Sequence, residues 1–254
     1  MQDVSFHSDA LNRQMAYRVM LPADAPTARG LPVVYLLHGA GDDFRTWSND
    51  SDVAEYARKG LILVMPEGDL SYYVNGVEAK DDRYEDYITH DLVADVESRF
   101  PARTDRDGRA IVGVSMGGYA AIYYAFERPE LYVFAGALSP AVDVPSRRFS
   151  WKRVDQWWRF RRIFGPVGST ERQTLDPFLI VQTANPKVTP YIYLTAGEQE
   201  PLLGPIRRLA AQLKVKGFTY EFHTKRGGHD WTEWDAQLPG CFAKLFETIP
   251  ISAN

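Results

Sequence analysis

Short apolar runs alternate with amphipathic patterns along most of this chain. The apolar runs predict buried strands at residues 33–37, 61–65, 110–114, 133–138 and 191–195. Apolar positions also recur at helical spacing, which predicts helices around residues 52–59, 89–100, 119–128, 205–216 and 231–247. Strands and helices that alternate in this way form a mostly parallel sheet with helices on both faces, so we predict an α/β fold.

The N-terminal segment predicts an antiparallel hairpin at one edge of this sheet. Its strands are expected at residues 4–6 and 16–20, joined through Leu11 and Asn12. A length of 254 residues suits one α/β domain better than two small ones, so residues 1–254 are expected to form a single domain.

One stretch between two predicted core strands breaks the alternation, because residues 147–172 mix aromatic and basic side chains. We expect a cap insert over about residues 145–185. Four of its residues recur near helical spacing and predict an amphipathic helix with its aromatic face on the domain and its arginines in solvent: Trp151, Val154, Trp158 and Arg161. The alternative is that some of Trp151, Trp157 and Trp158 line a substrate pocket.

Composition and charge argue against two classes of partner. Hydrophobic residues make up 45% of the chain, enough for a sizeable core, and the formal net charge is −4. An acidic chain lacks the basic surface that binds phosphate backbones, so no nucleic-acid partner is expected. No apolar run approaches the roughly 20 residues that span a bilayer, so no integral membrane association is expected either.

Cysteine usage and the N-terminus leave the cellular compartment open. The single cysteine, Cys241, allows no internal disulfide, and its apolar neighbours predict a buried packing residue. No charged segment followed by an apolar stretch begins the chain, so we expect no secretory signal. That expectation fits a cytoplasmic protein, and it also fits an exported protein whose signal was removed.

The sharpest chemical signal lies at residues 109–119, which predict a strand, an abrupt turn at Ser115 and the start of a helix. Gly113 and Gly117 lack the Cβ atoms that would clash if the serine adopted a positive φ. Such a turn lifts the hydroxyl clear of the sheet, as a nucleophile requires. The alternative is a glycine-rich connection with an inert serine.

A nucleophilic serine needs a base, and His229 is the best placed histidine. It lies on a glycine-rich loop after a predicted strand at residues 220–224. The rival is His38, which precedes residues 39–41 and is interpreted as shaping an oxyanion loop. Structural roles are expected for the remaining histidines, His7, His90 and His223.

The carboxylate that orients the histidine is expected just after the strand at residues 191–195. Two candidates follow that strand, Glu198 and Glu200. The chain order serine, acid, histidine is the order found in α/β-hydrolases, and it differs from those of chymotrypsin and subtilisin.

On these residues the chain resembles the esterase D-like (putative-esterase) family of α/β-hydrolases, which includes feruloyl and acetylxylan esterases, S-formylglutathione hydrolases and mycolyltransferases. The matching stretches cover nearly the whole chain: residues 34–39 with Trp47, 65–68 with 73–75, 113–118, 197–200, and 228–231 with Trp234. The fold that this resemblance implies is the α/β-hydrolase fold with a short aromatic and basic cap insert.

The resemblance also implies roles for particular residues. The family's acid usually sits three residues after the glycine that ends its strand, and here that position is Glu200. Most relatives have Asp there, whereas the mycolyltransferases resemble this chain in using Glu. The implied oxyanion hole consists of the backbone amides of Ala40 and Met116. Independently of the resemblance, four tryptophans are candidate substrate-pocket residues because they lie in the cap or near the motif loops: Trp47, Trp151, Trp158 and Trp231.

The implied activity is that of a serine carboxylesterase that forms an acyl-enzyme on Ser115. Short-chain acyl or aryl esters of the acetyl or feruloyl type are the expected small-molecule partners, carbohydrate-linked esters among them. The alternatives are a mycolyltransferase-type acyltransferase, a thioesterase similar to S-formylglutathione hydrolases, and a catalytically silent binding protein. The thioesterase is disfavoured by Val114 and Tyr119, since S-formylglutathione hydrolases usually flank the serine with histidines.

No cofactor and no metal are expected. Residues 39–44 lack the third glycine of a dinucleotide fingerprint, and no P-loop pattern occurs. The acidic cluster at residues 81–86 lacks the alternating spacing of a calcium loop and is interpreted as a solvated loop before a helix. The oligomeric state is left open.

Overall fold

A computed structural model describes residues 1–23, 30–147 and 154–249, and these ranges contain an eight-stranded sheet. The strands lie in the spatial order β1-β2-β4-β3-β5-β6-β7-β8. Their bounds are β1 Gln2–Ser8, β2 Arg13–Met20, β3 Val33–Leu37, β4 Ile62–Pro66, β5 Arg109–Val114, β6 Phe134–Leu138, β7 Tyr191–Gly197 and β8 Tyr220–Lys225. Strand β2 runs antiparallel to β1 and β4, and the pairs from β4 to β8 are parallel.

The predicted N-terminal hairpin is confirmed and forms one edge of the sheet. Phe6 in β1 faces Met15 in β2, and both side chains are buried. The turn between the strands contains Asn12 at φ 48°, a conformation that asparagine tolerates better than most residues. The strands are longer than predicted because antiparallel pairing extends over polar positions that carry no hydrophobic signal.

Helices cover both faces of the sheet, as the alternating pattern predicted. Their bounds are α1 Thr46–Asp50, α2 Ala54–Arg58, α3 Tyr84–Asp86, α4 Leu92–Arg99, α5 Met116–Glu127, α6 Val154–Phe164, α7 Thr170–Gln173, α8 Pro177–Thr183, α9 Leu203–Lys216 and α10 Trp231–Thr248. A π-helical turn at Tyr87–Asp91 leads into α4, so the helix predicted from residue 89 begins later in its α-helical form.

Strand β3 shows how the two faces are filled. Val33, Tyr35 and Leu37 pack into the core formed with α4, α5 and α9, whereas Val34 and Leu36 pack into the core formed with α1, α2 and α10. A strand buried on both faces reads as a continuous apolar run, which is the pattern that marked it in the sequence. Within the described ranges, no helix is long and apolar enough to cross a membrane.

Helix α5 begins three residues earlier than the apolar pattern indicated, at Met116. Gly117 and Gly118 gave no hydrophobic signal there, but both are fully enclosed by neighbouring strands. A Cβ built on Gly118 would lie 3.1 Å from the carbonyl oxygen of Leu138. Poor helix formers therefore occupy the first turn because only they fit against the sheet.

The connection between β6 and β7 contains α6, α7 and α8, where the cap insert was predicted. Phe160 and Phe164 of α6 make edge-to-face contacts with the ring of Tyr72. On the outer side, Arg161 pairs with Glu78 at 3.0 Å. The amphipathic helix is thus present, but phenylalanines rather than Trp158 supply its inner face.

Arg172 holds together the parts of this connection that lie before and after α6. Its guanidinium is buried and donates to the carbonyl oxygens of Pro145 at 2.6 Å, Gly165 at 2.8 Å and Arg147 at 3.3 Å. Burial lowers the pKa of Arg172 below its usual value. One cation thus donates to three carbonyl groups, as the several N–H donors of a guanidinium allow.

We predict that Arg172→Ala lowers the free energy of unfolding by about 2–4 kcal/mol, because the buried carbonyls lose their donor. Arg172→Lys should recover less than half of the loss, since one ammonium cannot match the planar fork of the guanidinium. Urea denaturation measures the free energy of unfolding of both variants, with Arg207→Ala, at an exposed arginine, as control. Equal stability of Arg172→Ala and wild type would contradict this role.

Candidate active site

Ser115 occupies a strained turn between β5 and α5, with φ 52° and ψ −108°. A positive φ is rare outside glycine and costs about 1–3 kcal/mol. Gly113 and Gly117 make this turn possible: a Cβ on Gly113 would lie 2.2 Å from the backbone of Gly117, and a Cβ on Gly117 would lie 2.2 Å from the carbonyl oxygen of Leu37. Neither position has room for a side chain.

Backbone hydrogen bonds hold Ser115 in this conformation. Its N–H donates to the carbonyl oxygen of Leu138 at 2.9 Å. Its own carbonyl oxygen accepts from the N–H groups of Tyr119 and Ala141, each at 3.0 Å. The strain is therefore offset by bonds to β6, to α5 and to the loop after β6.

His229 lies between Ser115 and Glu200. Its Nε2 is 2.9 Å from the Ser115 Oγ, and its Nδ1 is 2.7 Å from the Glu200 Oε2. The Glu200 side chain has no exposed surface, whereas that of His229 is 29% exposed. In this geometry the imidazole is able to accept the hydroxyl proton while the carboxylate stabilises the resulting cation.

The loops that carry Glu200 and His229 are joined by backbone contacts. The N–H of Gln199 donates to the carbonyl oxygen of Gly227 at 3.0 Å, and the N–H of Glu198 donates to that of Lys225 at 2.9 Å. A Cβ on Gly197 would lie 2.6 Å from the carbonyl oxygens of both Gly227 and Gly228. Glycine at 197 lets the two loops close, and Glu200 rather than the exposed Glu198 then faces the histidine.

Two backbone amides lie where an oxyanion hole was predicted. Met116 is the first residue of α5, so its N–H has no acceptor within its own helix. Ala40 follows β3 beside the serine, since a Cβ on Gly39 would lie 3.6 Å from the Ser115 Cβ. The positive end of the α5 dipole points toward the same place, which favours a developing negative charge.

His38 is fully buried behind this loop and is not placed as a base for Ser115. Its Nδ1 lies 2.8 Å from the carbonyl oxygen of Gly39, and its Nε2 lies 3.0 Å from the N–H of Gly68 and 3.2 Å from the Glu67 Oε1. The Gly39 carbonyl shares a rigid peptide plane with the N–H of Ala40. By fixing that carbonyl, the His38 ring fixes the direction of the Ala40 amide.

Glu67 anchors the other side of the His38 ring. Burial alone would raise its pKa, but hydrogen bonds from His38 and from the backbone N–H groups of Asp69 and Phe44 outweigh burial and lower the pKa of Glu67 below its usual value. Tyr73, also fully buried, donates to the His38 carbonyl oxygen at 3.2 Å. The loop that carries Ala40 is therefore braced from the loop after β4.

Three tryptophan rings in successive edge-to-face contact extend from the His229 ring into the protein. The His229 ring contacts Trp234 at a centroid distance of 5.1 Å, Trp234 contacts Trp231 at 5.2 Å, and Trp231 contacts Trp47 at 5.1 Å. Trp47 has no exposed surface, so it supports Trp231 and does not line a pocket. Trp231 remains partly exposed.

The remaining pocket candidates are the two tryptophans of the predicted cap insert. Trp158 is 56% exposed on the outside of α6, where its ring contacts that of Trp157, because phenylalanines occupy the inner face of the helix. Trp151 lies outside the described residues. The three remaining histidines lie away from the site: His7 in β1, His90 in the π-helical turn and His223 in β8.

Sequence reasoning gave no site role to two residues near His229, Glu233 and Trp234, although Trp234 belongs to a stretch that resembles the family. Both lie in the first turn of α10, which begins after the N-cap residue Asp230. For Trp234 the available signal was a helix that starts immediately after the histidine, with Trp231 and Trp234 three positions apart on one face. Among the described residues, no group of three or more His, Cys, Asp or Glu side chains is placed to hold a metal ion.

Comparison with known proteins identifies a family and several relatives. The family model described as "Putative esterase" matches residues 8–245. An acetyl esterase of Caldicellulosiruptor saccharolyticus is 26% identical over 254 residues, covering 94% of this chain and 95% of that protein. The diacylglycerol acyltransferase/mycolyltransferase Ag85B of Mycobacterium avium is 27% identical over 257 residues, covering 88% of this chain and 77% of the relative.

A solved structure shows the same fold. The substrate-bound FphF, a fluorophosphonate-binding serine hydrolase of Staphylococcus aureus, superposes with a TM-score of 0.83. The two sequences are 25% identical, and the alignment covers 96% of this chain and 97% of the other. The predicted α/β-hydrolase fold is thereby confirmed.

If Glu200 rather than Glu198 orients His229, substitution of Glu200 alone should slow the reaction of Ser115. We expect Glu200→Gln to slow covalent labelling of Ser115 by a fluorophosphonate by at least about 100-fold, because an amide no longer holds the required tautomer of His229. Glu198→Gln is the matched control and should label at the wild-type rate. Labelling rates followed by intact-protein mass spectrometry distinguish the two, and a slow Glu198→Gln with a normal Glu200→Gln would reverse the choice.

Proposed function

The chain belongs to the putative esterase family and is a carboxylic ester hydrolase, and from that premise we propose that it acts through an acyl-enzyme on Ser115. The observation that carries the proposal is the position of His229, within hydrogen-bonding distance of both the Ser115 hydroxyl and the Glu200 carboxylate. Three residues from three separate strand ends meet in the geometry that nucleophilic catalysis requires.

In the acylation step, the Ser115 Oγ attacks the ester carbonyl carbon while His229 Nε2 takes its proton. The carbonyl oxygen becomes an oxyanion that accepts hydrogen bonds from the N–H groups of Ala40 and Met116. Collapse of the tetrahedral intermediate breaks the bond to the alcohol oxygen, which receives the proton from His229. The Glu200 carboxylate stabilises the imidazolium.

In the deacylation step, water takes the place of the departed alcohol. His229 removes a proton from the water as it attacks the acyl carbon, and the oxyanion is held by the same two amides. The intermediate then releases the carboxylic acid, and the Ser115 oxygen recovers its proton from His229. Both half-reactions use one base in alternating roles, which explains why its orientation is fixed on both ring nitrogens.

We propose short-chain acyl or aryl esters, of the acetyl or feruloyl type, as substrates. The relative named acetyl esterase matches nearly the full length of both chains, which supports a short acyl group. We further propose that residues 1–254 form one catalytic domain, with the connection between β6 and β7 acting as a cap beside the site. Tyr72, Phe160 and Phe164 pack together there and give that cap an aromatic base.

An acyltransferase is the second candidate, and one observation favours it. The acid beside His229 is Glu200, and the mycolyltransferases resemble this chain in using glutamate at that position. The relative named diacylglycerol acyltransferase/mycolyltransferase matches most of this chain. The two activities share the acylation step and differ only in whether water or an alcohol accepts the acyl group.

Ester hydrolysis should depend on the Ser115 hydroxyl. We expect p-nitrophenyl acetate and butyrate, or methyl ferulate, to be hydrolysed, and Ser115→Ala to lower kcat by at least about 10⁴-fold. Ser139→Ala is a matched control, because Ser139 also follows a strand and has a positive φ of 47°. A p-nitrophenyl series from acetate to laurate measures acyl preference.

The same assay separates hydrolase from transferase. With added glycerol or a sugar alcohol, a hydrolase yields mainly the free acid, whereas an acyltransferase yields mainly a new ester, as mass spectrometry of the products shows. Undiminished hydrolysis by Ser115→Ala would overturn the acyl-enzyme on this residue.

We also predict that His38→Leu lowers kcat by about 10- to 100-fold with little change in KM. The Ala40 amide would lose its fixed direction, and an oxyanion donor is typically worth about 3–4 kcal/mol when fully removed. His223→Gln, at an exposed histidine of β8, controls for histidine loss. Steady-state kinetics on a folded variant measure the effect, and an unchanged kcat would show that the loop holds Ala40 without the ring.

A further inference from the structure

Glu233 is a buried carboxyl group next to the proposed catalytic residues that the acyl-enzyme mechanism does not use. The residue is 4% exposed. Its Oε1 accepts a hydrogen bond from the side-chain amide of Gln237, one helical turn along α10. Its Oε2 is buried and has no hydrogen-bond partner among the described residues.

The local structure folds this side chain back toward the loop that carries His229. Asp230 caps α10 and accepts from the Glu233 N–H at 3.1 Å, which fixes the start of the helix. A Cβ built on Gly227 would lie 2.4 Å from the Glu233 Cγ. The carbonyl oxygen of Gly227 in turn accepts from Gln199, the neighbour of Glu200. Glu233 is thus packed against the junction of the two loops.

Glu200 presents a second unpaired oxygen at this junction. Its Oε2 accepts from His229, but its Oε1 is buried and has no hydrogen-bond partner in the described part of the chain. A buried carboxylate oxygen without a donor is costly, because it has lost its hydrogen bonds to water and gained none in the protein. Glu200 Oε1 is therefore an acceptor that needs a donor, and Glu233 Oε2 is an oxygen able to carry a proton.

The charges around Glu233 favour its protonated form. Burial raises the pKa of Glu233 to about 7, and the negative charges of Glu200 and Asp230 act in the same direction. The hydrogen bond from Gln237 and the nearby His229 act in the opposite direction and are outweighed. Because Oε1 accepts from Gln237, Oε2 is the oxygen that is free to carry a proton among the described residues.

We propose that Glu233 is a positioning residue: its protonated carboxyl group donates from Oε2 to the unpaired Oε1 of Glu200 and so fixes the carboxylate that orients His229. This inference rests on the proposed function, since it assigns Glu200 the role of the acid. Ionisation of Glu233 removes the donor and places a second negative charge beside Glu200. The carboxylate is then free to turn away from the imidazole.

The kinetic test compares Glu233→Gln, Glu233→Ala and wild type between pH 6.5 and 9.5. The glutamine amide keeps both hydrogen bonds at every pH, because its oxygen accepts from Gln237 and its nitrogen donates to Glu200. We expect wild-type kcat to fall severalfold above pH 8, Glu233→Gln to keep its activity, and Glu233→Ala to be about tenfold slower throughout with KM within about twofold. Glu247→Gln, on the exposed side of α10, is the control.

A thermal test measures the protonation state without using activity. A protein loses stability with rising pH when one of its carboxyl groups has a higher pKa in the folded state than in the unfolded state. The loss occurs between these two pKa values, because the folded state binds more protons there. Glu233→Gln should therefore have a higher Tm than wild type at pH 8.5, and the difference should shrink at pH 5.5. Glu247→Gln should show no such trend.

The outcomes are distinguishable. Glu233→Gln as slow as Glu233→Ala, or a wild-type pH profile identical to that of Glu233→Gln, would overturn the positioning role. A Tm difference that does not change with pH would overturn the protonated state. If Ser115→Ala hydrolyses esters like wild type, the proposed function fails instead, and the Tm comparison still reports on Glu233. Rescue by glutamine together with the pH-dependent Tm difference would establish the role.

Discussion

The close approach of β3, β5 and α5 at Ser115 is the constraint on which the rest of the site depends. Gly113 and Gly117 pack so closely against each other and against the backbone of Leu37 that neither glycine has space for a Cβ. In this arrangement Ser115 adopts its positive φ. The same packing puts the N–H of Met116 at the free end of α5. One steric condition therefore positions both the proposed nucleophile and a proposed oxyanion donor.

The parallel sheet gathers the other parts of the site. Ala40, Ser115, Glu200 and His229 follow β3, β5, β7 and β8, and the carboxyl ends of parallel strands lie at one edge. Each loop is then held by its neighbours: the Ala40 loop by the ring of His38, and the Glu200 loop by backbone bonds to the His229 loop. Loops held in this way reorganise little, which under the proposed mechanism is the condition for strong electrostatic stabilisation.

Much of this arrangement was predictable because it depends on local steric rules. Gly113 and Gly117 predict the turn at Ser115, and continuous apolar runs predict strands buried on both faces. The choice of Glu200 over Glu198 came from family resemblance, since both glutamates follow the same strand. Trp47, predicted to line a pocket, packs in the core, and Trp158, predicted on the inner face of its helix, faces solvent. The sequence pattern around a tryptophan does not distinguish these positions. Glu233 gave no signal, since a glutamate in the first turn of a helix is ordinarily solvated and only tertiary packing buries it.

The way in which Arg172 holds the connection between β6 and β7 affects which sequence changes the fold tolerates there. Arg172 binds carbonyl groups on both sides of α6, at Pro145, Arg147 and Gly165, so the two ends of the intervening segment are held at a fixed separation. For a loop with fixed ends, each doubling of length costs only about 0.6 kcal/mol in closure entropy. Segments of different length and composition are therefore exchangeable at this point without altering the sheet or the four strand ends. One scaffold is in this way able to accept different inserts at a single point of the chain.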